Sequence, residues 1–168
     1  MTQTQPRTRT YTWADTTDLD FAALIQMTGL EQLHAMIEGK APRPPVMDLL
    51  DMESFTAEPS RVVVTMRAQE FHYNPLGGVH GGVIATLLDT AAACAVHSTL
   101  AVGEQYTSLD LTTKFLRPVT MESGLLSCEG VVIQRGRRTA LAQAQLTDEA
   151  GRLVAHATSS CLIFALGQ

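Results

Sequence analysis

An aspartate stands alone in a long apolar run of this chain, eight residues after a glycine that directly follows a histidine. Residues 83–100 read VIATLLDTAAACAVHSTL, and Asp89 is their only carboxylate and only permanently charged side chain. Burying an unpaired carboxylate is costly and raises its pKa, so such a residue has a partner or a chemical task. His80-Gly81-Gly82, directly upstream, supplies bare backbone N–H groups at the mouth of a helix, where partial positive charge gathers. An oxyanion site together with a carboxylate base or nucleophile is the equipment of acyl transfer.

Spacing constrains how the two groups are used. Gly81 suits the oxyanion role because, without a Cβ, it lets a substrate approach its N–H closely. Asp89 suits the other role, as general base on water or as direct nucleophile forming a mixed anhydride, and the residues leave both open. Eight residues of helix span about 12 Å at 1.5 Å per residue. Both groups must lie within about 3 Å of one reacting group. One helix does not easily supply both, so the simplest arrangement takes Gly81 from one chain and Asp89 from a second copy. The expected catalytic unit is a dimer. His34, His72, His97 and His156 share no spacing that makes a metal triad and read as structural or surface residues.

These residues need a scaffold, and the pattern describes one. Residues 1–17 read as a frayed leader. Thr28-Gly29-Leu30-Glu31 has capping-box spacing, with Leu30, Leu33, Met36 and Ile37 at helical period and Gly39 as the stop. Residues 41–45 (APRPP) are a stiff connector. Strands are expected over 46–56 and 61–66, with Glu58-Pro59-Ser60 as the turn. A glycine-rich loop over 74–82 leads into the apolar helix. Extended runs follow over 108–116, 125–134, 139–147 and 153–164, separated by turn chemistry. The fold class is α+β, an antiparallel sheet curled around one long helix. Residues 1–45 are expected to form an N-terminal extension and 46–168 the main domain.

Bulk properties narrow the partners. The chain has 168 residues, 45% of them hydrophobic and 17% charged, enough for one domain with a real core. A net charge of −5 argues against nucleic acid or an anionic membrane as the main partner, while local arginines can still bind a small polyanion. Cys94, Cys128 and Cys161 are odd in number and lack metal-type spacing, which points to a reducing cytoplasm. The polar start MTQTQPRTRTYTW has no secretory h-region, and Asp89 and His97 argue against a membrane span.

NPLGGVHGGVIATLLD, with TSLDLTTKFLRP downstream, resembles the hotdog-fold acyl-CoA thioesterases of the phenylacetate-pathway (PaaI-like) type. The likeness runs over residues 46–164. It implies a helix wrapped by a long antiparallel sheet, dimers with a continuous sheet, often tetramers, and metal-independent cleavage of a coenzyme A thioester. No cofactor is expected, since coenzyme A is part of the substrate. Asn74 matches an amide position that contacts the thioester or positions water, with an Asn-Pro turn as the plain alternative. Ser108 falls where relatives hold the attacking water, and Thr107 is adjacent. Ala93 stands where other hotdog thioesterases carry a Thr, which leaves Ser108 as the hydroxyl source. His80 orients substrate or simply braces the loop. Gly82 joins Gly81 on the substrate side. Arg117, Arg137 and Arg138 are the cations for coenzyme A phosphates, the last two on a turn that relatives place near the nucleotide. Leu88, Ala92 and Val96 are expected to line the acyl pocket, and residues 24–37 to form a lid or pack on the outer sheet. The acyl group is aryl-acetyl, benzoyl-like or medium-chain. A non-catalytic acyl-CoA-binding protein is the alternative, and a buried carboxylate is superfluous to it. A hydratase needs an Asp/His layout that His80 and Asp89 do not reproduce.

Overall fold

The computed structural model describes residues 6–15 and 19–165. Three short helices come first: α1 (Phe21–Leu24), α2 (Gly29–Ile37) and α3 (Pro45–Leu49). The capping box of α2 is formed as expected. Thr28 Oγ1 accepts from the Glu31 N–H, and the Glu31 carboxylate accepts from the Thr28 N–H at 2.8 Å. Gly39, at φ 72°, takes the chain out of the helix. The expectation of a strand over 46–56 is corrected at its start. Pro45 occupies the first position of α3, where its fixed φ favours a helix, and Met47 enters the core from that turn. Of the leader, residues 1–5, 16 and 17 lie outside the described residues. Residues 6–15 have neither helix nor strand, but they are tied down rather than frayed: Arg9 donates to the carbonyls of Asp48 and Leu49 and stacks 3.9 Å above the Phe71 ring.

The strands are β1 (Met52–Glu58), β2 (Arg61–Arg67), β3 (Glu104–Ser108), β4 (Thr112–Phe115), β5 (Leu125–Arg135), β6 (Thr139–Thr147) and β7 (Leu153–Ala165). Between β2 and β3 runs the long helix α4 (Gly81–His97). All seven strands form one antiparallel sheet in the order β1-β2-β5-β6-β7-β3, with β4 also paired to β7. This is the α+β hotdog arrangement. The run expected over 108–116 is corrected: only Thr112–Phe115 of it forms β4, while Ser108 ends β3, which starts earlier at Glu104, and both strands lie along β7. Asp110 causes the break. Its Oδ1 accepts from the Ser160 N–H at 3.0 Å, a donor that an unbroken strand would pair with a backbone carbonyl.

Alternation along the sheet builds the core. Val62, Val64 and Met66 of β2, Leu126 and Cys128 of β5, and Ala140, Ala142, Ala144 and Leu146 of β6 all bury inward. Alanines at three consecutive inward positions of β6 leave room for a closely seated helix. Gly130 of β5 allows the closest approach, since a Cβ there would stand 2.0 Å from the Ala91 carbonyl oxygen of α4. Leu88, Ala92 and Val96, expected in an acyl pocket, are fully buried in this core instead. At i, i+4, i+8 they share the helix face that meets the sheet. The face left half-covered carries Thr86, Asp89, Thr90, Cys94 and His97. Among the described residues no helix is long and apolar enough to cross a membrane.

Candidate active site

The first candidate groups sit at the N-terminus of α4. His80 is its N-cap, with an exposed ring whose Nδ1 accepts from the Gly82 N–H at 2.9 Å. The His80 carbonyl accepts from Val83 and Ile84. The Gly81 N–H is left without an acceptor among the described residues, at the positive end of a 17-residue helix. Gly82 and Gly81 are therefore not equivalent: the first has its N–H committed to the cap, the second is open. Asn74 holds the preceding loop, its Oδ1 accepting from Leu76 N–H at 2.8 Å and Gly78 N–H at 3.3 Å. That commits the amide oxygen and leaves the NH2 group as a donor. Asn74, Gly81, Ile84, Phe115 and Arg117 line a cavity of about 420 Å³.

Asp89 lies two turns further along α4, half-buried. Burial pushes its carboxyl above the ordinary range, and a hydrogen bond with the Ser108 side chain pulls it partly back. Ser108 is the last residue of β3, opposite Cys161 of β7, and its hydroxyl also reaches the Cys161 thiol. Thr107 pairs with Leu162 and faces the other side of the sheet, so the hydroxyl at Asp89 belongs to Ser108. Thr86 and Thr90 donate to the carbonyls of Gly82 and Thr86, which commits their hydroxyls to the helix. Burial and the Asp89 charge push the Cys94 thiol up to about 12, leaving it protonated and a poor nucleophile. Tyr106, on the Ser108 face of β3, has its hydroxyl held neutral by burial. A carboxylate of raised pKa accepts a proton more readily than an exposed one, and an open helix N–H can hold an oxyanion.

One chain does not bring these groups together. The helix is unbroken from Gly81 to His97, so Gly81 and Asp89 stand about 12 Å apart. The arginines divide in the same way. Arg117 lines the Gly81 cavity and donates to the Leu153 carbonyl at 3.0 Å. Arg137 and Arg138 lie on the β5–β6 turn, exposed and without an ion pair among the described residues, whereas neighbouring Arg135 is paired with Glu104 at 2.7 Å. The Arg138 carbonyl accepts from Ile163, which pairs with Tyr106, so this turn flanks the Asp89 end. Sequence reasoning missed Tyr106, Phe115 and Cys161. The alternation of Tyr106 with Ser108 was readable, but only the β3–β7 register places Cys161 beside them. Among the described residues no group of three or more His, Cys, Asp or Glu is arranged to hold a metal ion.

Known proteins are similar to this chain in sequence and fold. The sequence profile of the Thioesterase superfamily matches residues 76–155, which include Gly81, Asp89, Ser108 and Arg117. Acyl-coenzyme A thioesterase 13 from Homo sapiens is 30% identical over 101 residues, covering 60% of this chain and 71% of the relative. The structure of a phenylacetic acid degradation-related protein from Ralstonia eutropha superposes with a TM-score of 0.70 at 32% identity, covering 77% of this chain and 98% of that one. A mutant of the phenylacetic acid degradation protein PaaI from Thermus thermophilus superposes with a TM-score of 0.64 at 27% identity, covering 71% and 98%.

Proposed function

This chain belongs to the hotdog-fold thioesterase superfamily, and from that premise we propose that it hydrolyses an acyl-coenzyme A thioester to the free acid and coenzyme A. The observation that carries the reading is the pairing of two incomplete half-sites on one helix. One is an open N–H at Gly81, the other a carboxylate of raised pKa at Asp89 beside a serine hydroxyl.

In the reaction, Asp89 acts as general base on a water held by Ser108. The water oxygen bonds to the thioester carbon while its proton passes to Asp89. The carbonyl oxygen becomes an oxyanion facing the N–H of Gly81 of the partner subunit. The tetrahedral adduct then breaks its C–S bond, and the coenzyme A sulfur leaves with the proton returned from Asp89. The raised pKa makes Asp89 a better base than an exposed carboxylate, and the Ser108 hydroxyl beside it is suited to holding the water that the general-base role requires. Asn74 offers its free NH2 to the thioester, His80 and Gly82 hold the helix mouth in shape, and Arg117, Arg137 and Arg138 meet the phosphates. The working assembly is a homodimer, with two dimers forming a tetramer. Residues 1–45 are an extension and 46–168 the hotdog domain. Three free thiols suit a cytoplasmic enzyme.

The test is a panel of aryl and aliphatic acyl-CoAs assayed for thiol release, with Asp89→Ala and Asp89→Asn alongside wild type. Turnover that depends on Asp89 supports the reading. Absence of turnover across the panel, or full activity in Asp89→Ala, ends it.

A further inference from the structure

The N-terminal segment leaves a second cavity, of about 290 Å³, between itself, the C-terminal end of α4 and the start of β3. Leu19, Phe21, Leu24 and Ile25 line it from the outer side, and His97 and Tyr106 form its inner wall. None of the four outer residues belongs to the hydrophobic core or to the apolar side chains packed on it. A short segment this apolar, ordered over a hollow rather than packed into the core, has the character of a lid.

Gln32 of α2 is the clamp that holds it there. Its Nε2 donates to the carbonyls of Leu24 and Met27 at 3.0 and 3.2 Å, so its Oε1 accepts from His97 Nε2 at 3.0 Å. Gly29 closes the joint: its N–H donates to the Leu100 carbonyl, and a Cβ there would stand 1.8 Å from the His97 carbonyl oxygen. His97, half-buried and pulled down to about 4 by desolvation, is uncharged at neutral pH. The Glu104 carboxylate that also lines the cavity is paired with Arg135 at 2.7 Å, which leaves the cavity mainly apolar in character.

The cavity lies beside the candidate site and shares β3 and α4 with it. Tyr106 lies two residues from Ser108 on the same face of β3, about 7 Å along the strand. His97 likewise lies on the half-covered face of α4 that carries Asp89, so both the helix wall and the strand wall of the cavity continue toward the Asp89–Ser108 pair. We propose that this cavity is the acyl subsite, closed by the N-terminal segment, and that it takes an apolar acyl group of medium length. The inference rests on the thioesterase reading for the identity of its occupant. Its volume equals about ten water-sized portions of about 30 Å³, enough for a six-carbon chain and too small for a long fatty one.

Acetyl-, hexanoyl- and palmitoyl-CoA hydrolysis, measured for wild type and Leu24→Trp, tests the subsite. Calorimetric binding of a non-hydrolysable hexanoyl-CoA thioether tests it without turnover. The expected results are a wild-type preference for hexanoyl-CoA and a ratio of hexanoyl- to acetyl-CoA kcat/KM that falls about tenfold or more in Leu24→Trp, mainly through KM. Thioether affinity falls in parallel, and Leu24→Ala moves the preference toward longer chains. If both Leu24 variants keep the wild-type chain-length profile and thioether affinity, the subsite lies elsewhere while the thioesterase reading stands. Leu24-dependent thioether binding with no hydrolysis by wild type supports the subsite and overturns the enzymatic reading.

Discussion

Replacing Gly81 by proline deletes the N–H proposed as the oxyanion donor and puts a ring carbon in its place, while leaving the helix backbone unstrained. Proline is well tolerated at the first helical position, which Gly81 occupies. It also requires an extended residue before it, and His80 already sits at φ −61°, ψ 136°. The N–H it deletes has no acceptor among the described residues, so no internal hydrogen bond is lost. The added Cβ meets the Phe115 ring, whose Cζ lies 3.1 Å from its position, close enough that the ring shifts by a few tenths of an ångström. Gly81→Ala makes the same Cβ contact and keeps the N–H, so the comparison separates loss of the N–H and entry of the proline ring from the effect of the added Cβ. Loss of one oxyanion donor lowers kcat by about 10²–10³, or about 2.7–4 kcal/mol. Stability changes by about 1 kcal/mol or less, a Tm shift of about 2–4 °C. Steady-state thiol release and thermal unfolding of the three proteins give both numbers. If folded Gly81→Pro keeps kcat within about threefold of Gly81→Ala, the Gly81 N–H is not the oxyanion donor.

Asp89→Asn should lower kcat by about 10²–10⁴ yet unfold at a higher temperature than wild type at neutral pH. The sign follows from the raised pKa: wild type loses stability as pH climbs from the ordinary carboxyl value of 3.8 through the folded-state value, so the Tm gap closes on acidification toward 3.8. The acidic limb of the wild-type kcat/KM profile should likewise lie above the usual carboxylate range. Gly130→Ala drives a Cβ against the Ala91 carbonyl and lifts α4 from β5 beside Asp89. A destabilisation of about 1–3 kcal/mol, or more, is expected by thermal unfolding, with reduced kcat at temperatures where the protein is folded. The double variant Arg137→Ala, Arg138→Ala should raise KM for acyl-CoA by about tenfold and leave KM for the matching N-acetylcysteamine thioester, which lacks the nucleotide, unchanged.

Local signals in the sequence were read well where chemistry is local. The capping box at Thr28 and Glu31, the breaks around β5, β6 and β7, and the helix mouth at His80 all depend on residues a few positions apart. Residues 46–49 form a helix where a strand is expected, because short apolar runs do not separate strand from helix and Pro45 favours the helix. The break at Asp110 depends on Ser160, fifty residues away, and no spacing rule reaches that far. The same holds for the site. Asp89, Gly81 and their separation were visible along one helix. That Gly81 is open while Gly82 is committed, and that Ser108 rather than Thr107 meets Asp89, needed the cap geometry and the β3–β7 register. Leu88, Ala92 and Val96 looked available for a ligand only because the sheet that buries them is distant in sequence.

Sharing of the site between two chains is tested most directly by mixing Asp89→Ala with Gly81→Pro under conditions that exchange subunits. With random pairing half of the dimers are mixed. In a two-fold dimer each mixed pair has one site with Asp89 from one chain and the Gly81 N–H from the other, and one site lacking both. The shared site predicts recovery to about one quarter of wild-type turnover per chain, from two parents that are each nearly inactive. If exchange is verified and turnover stays at the parents' level, Asp89 and Gly81 do not act on one thioester across the dimer.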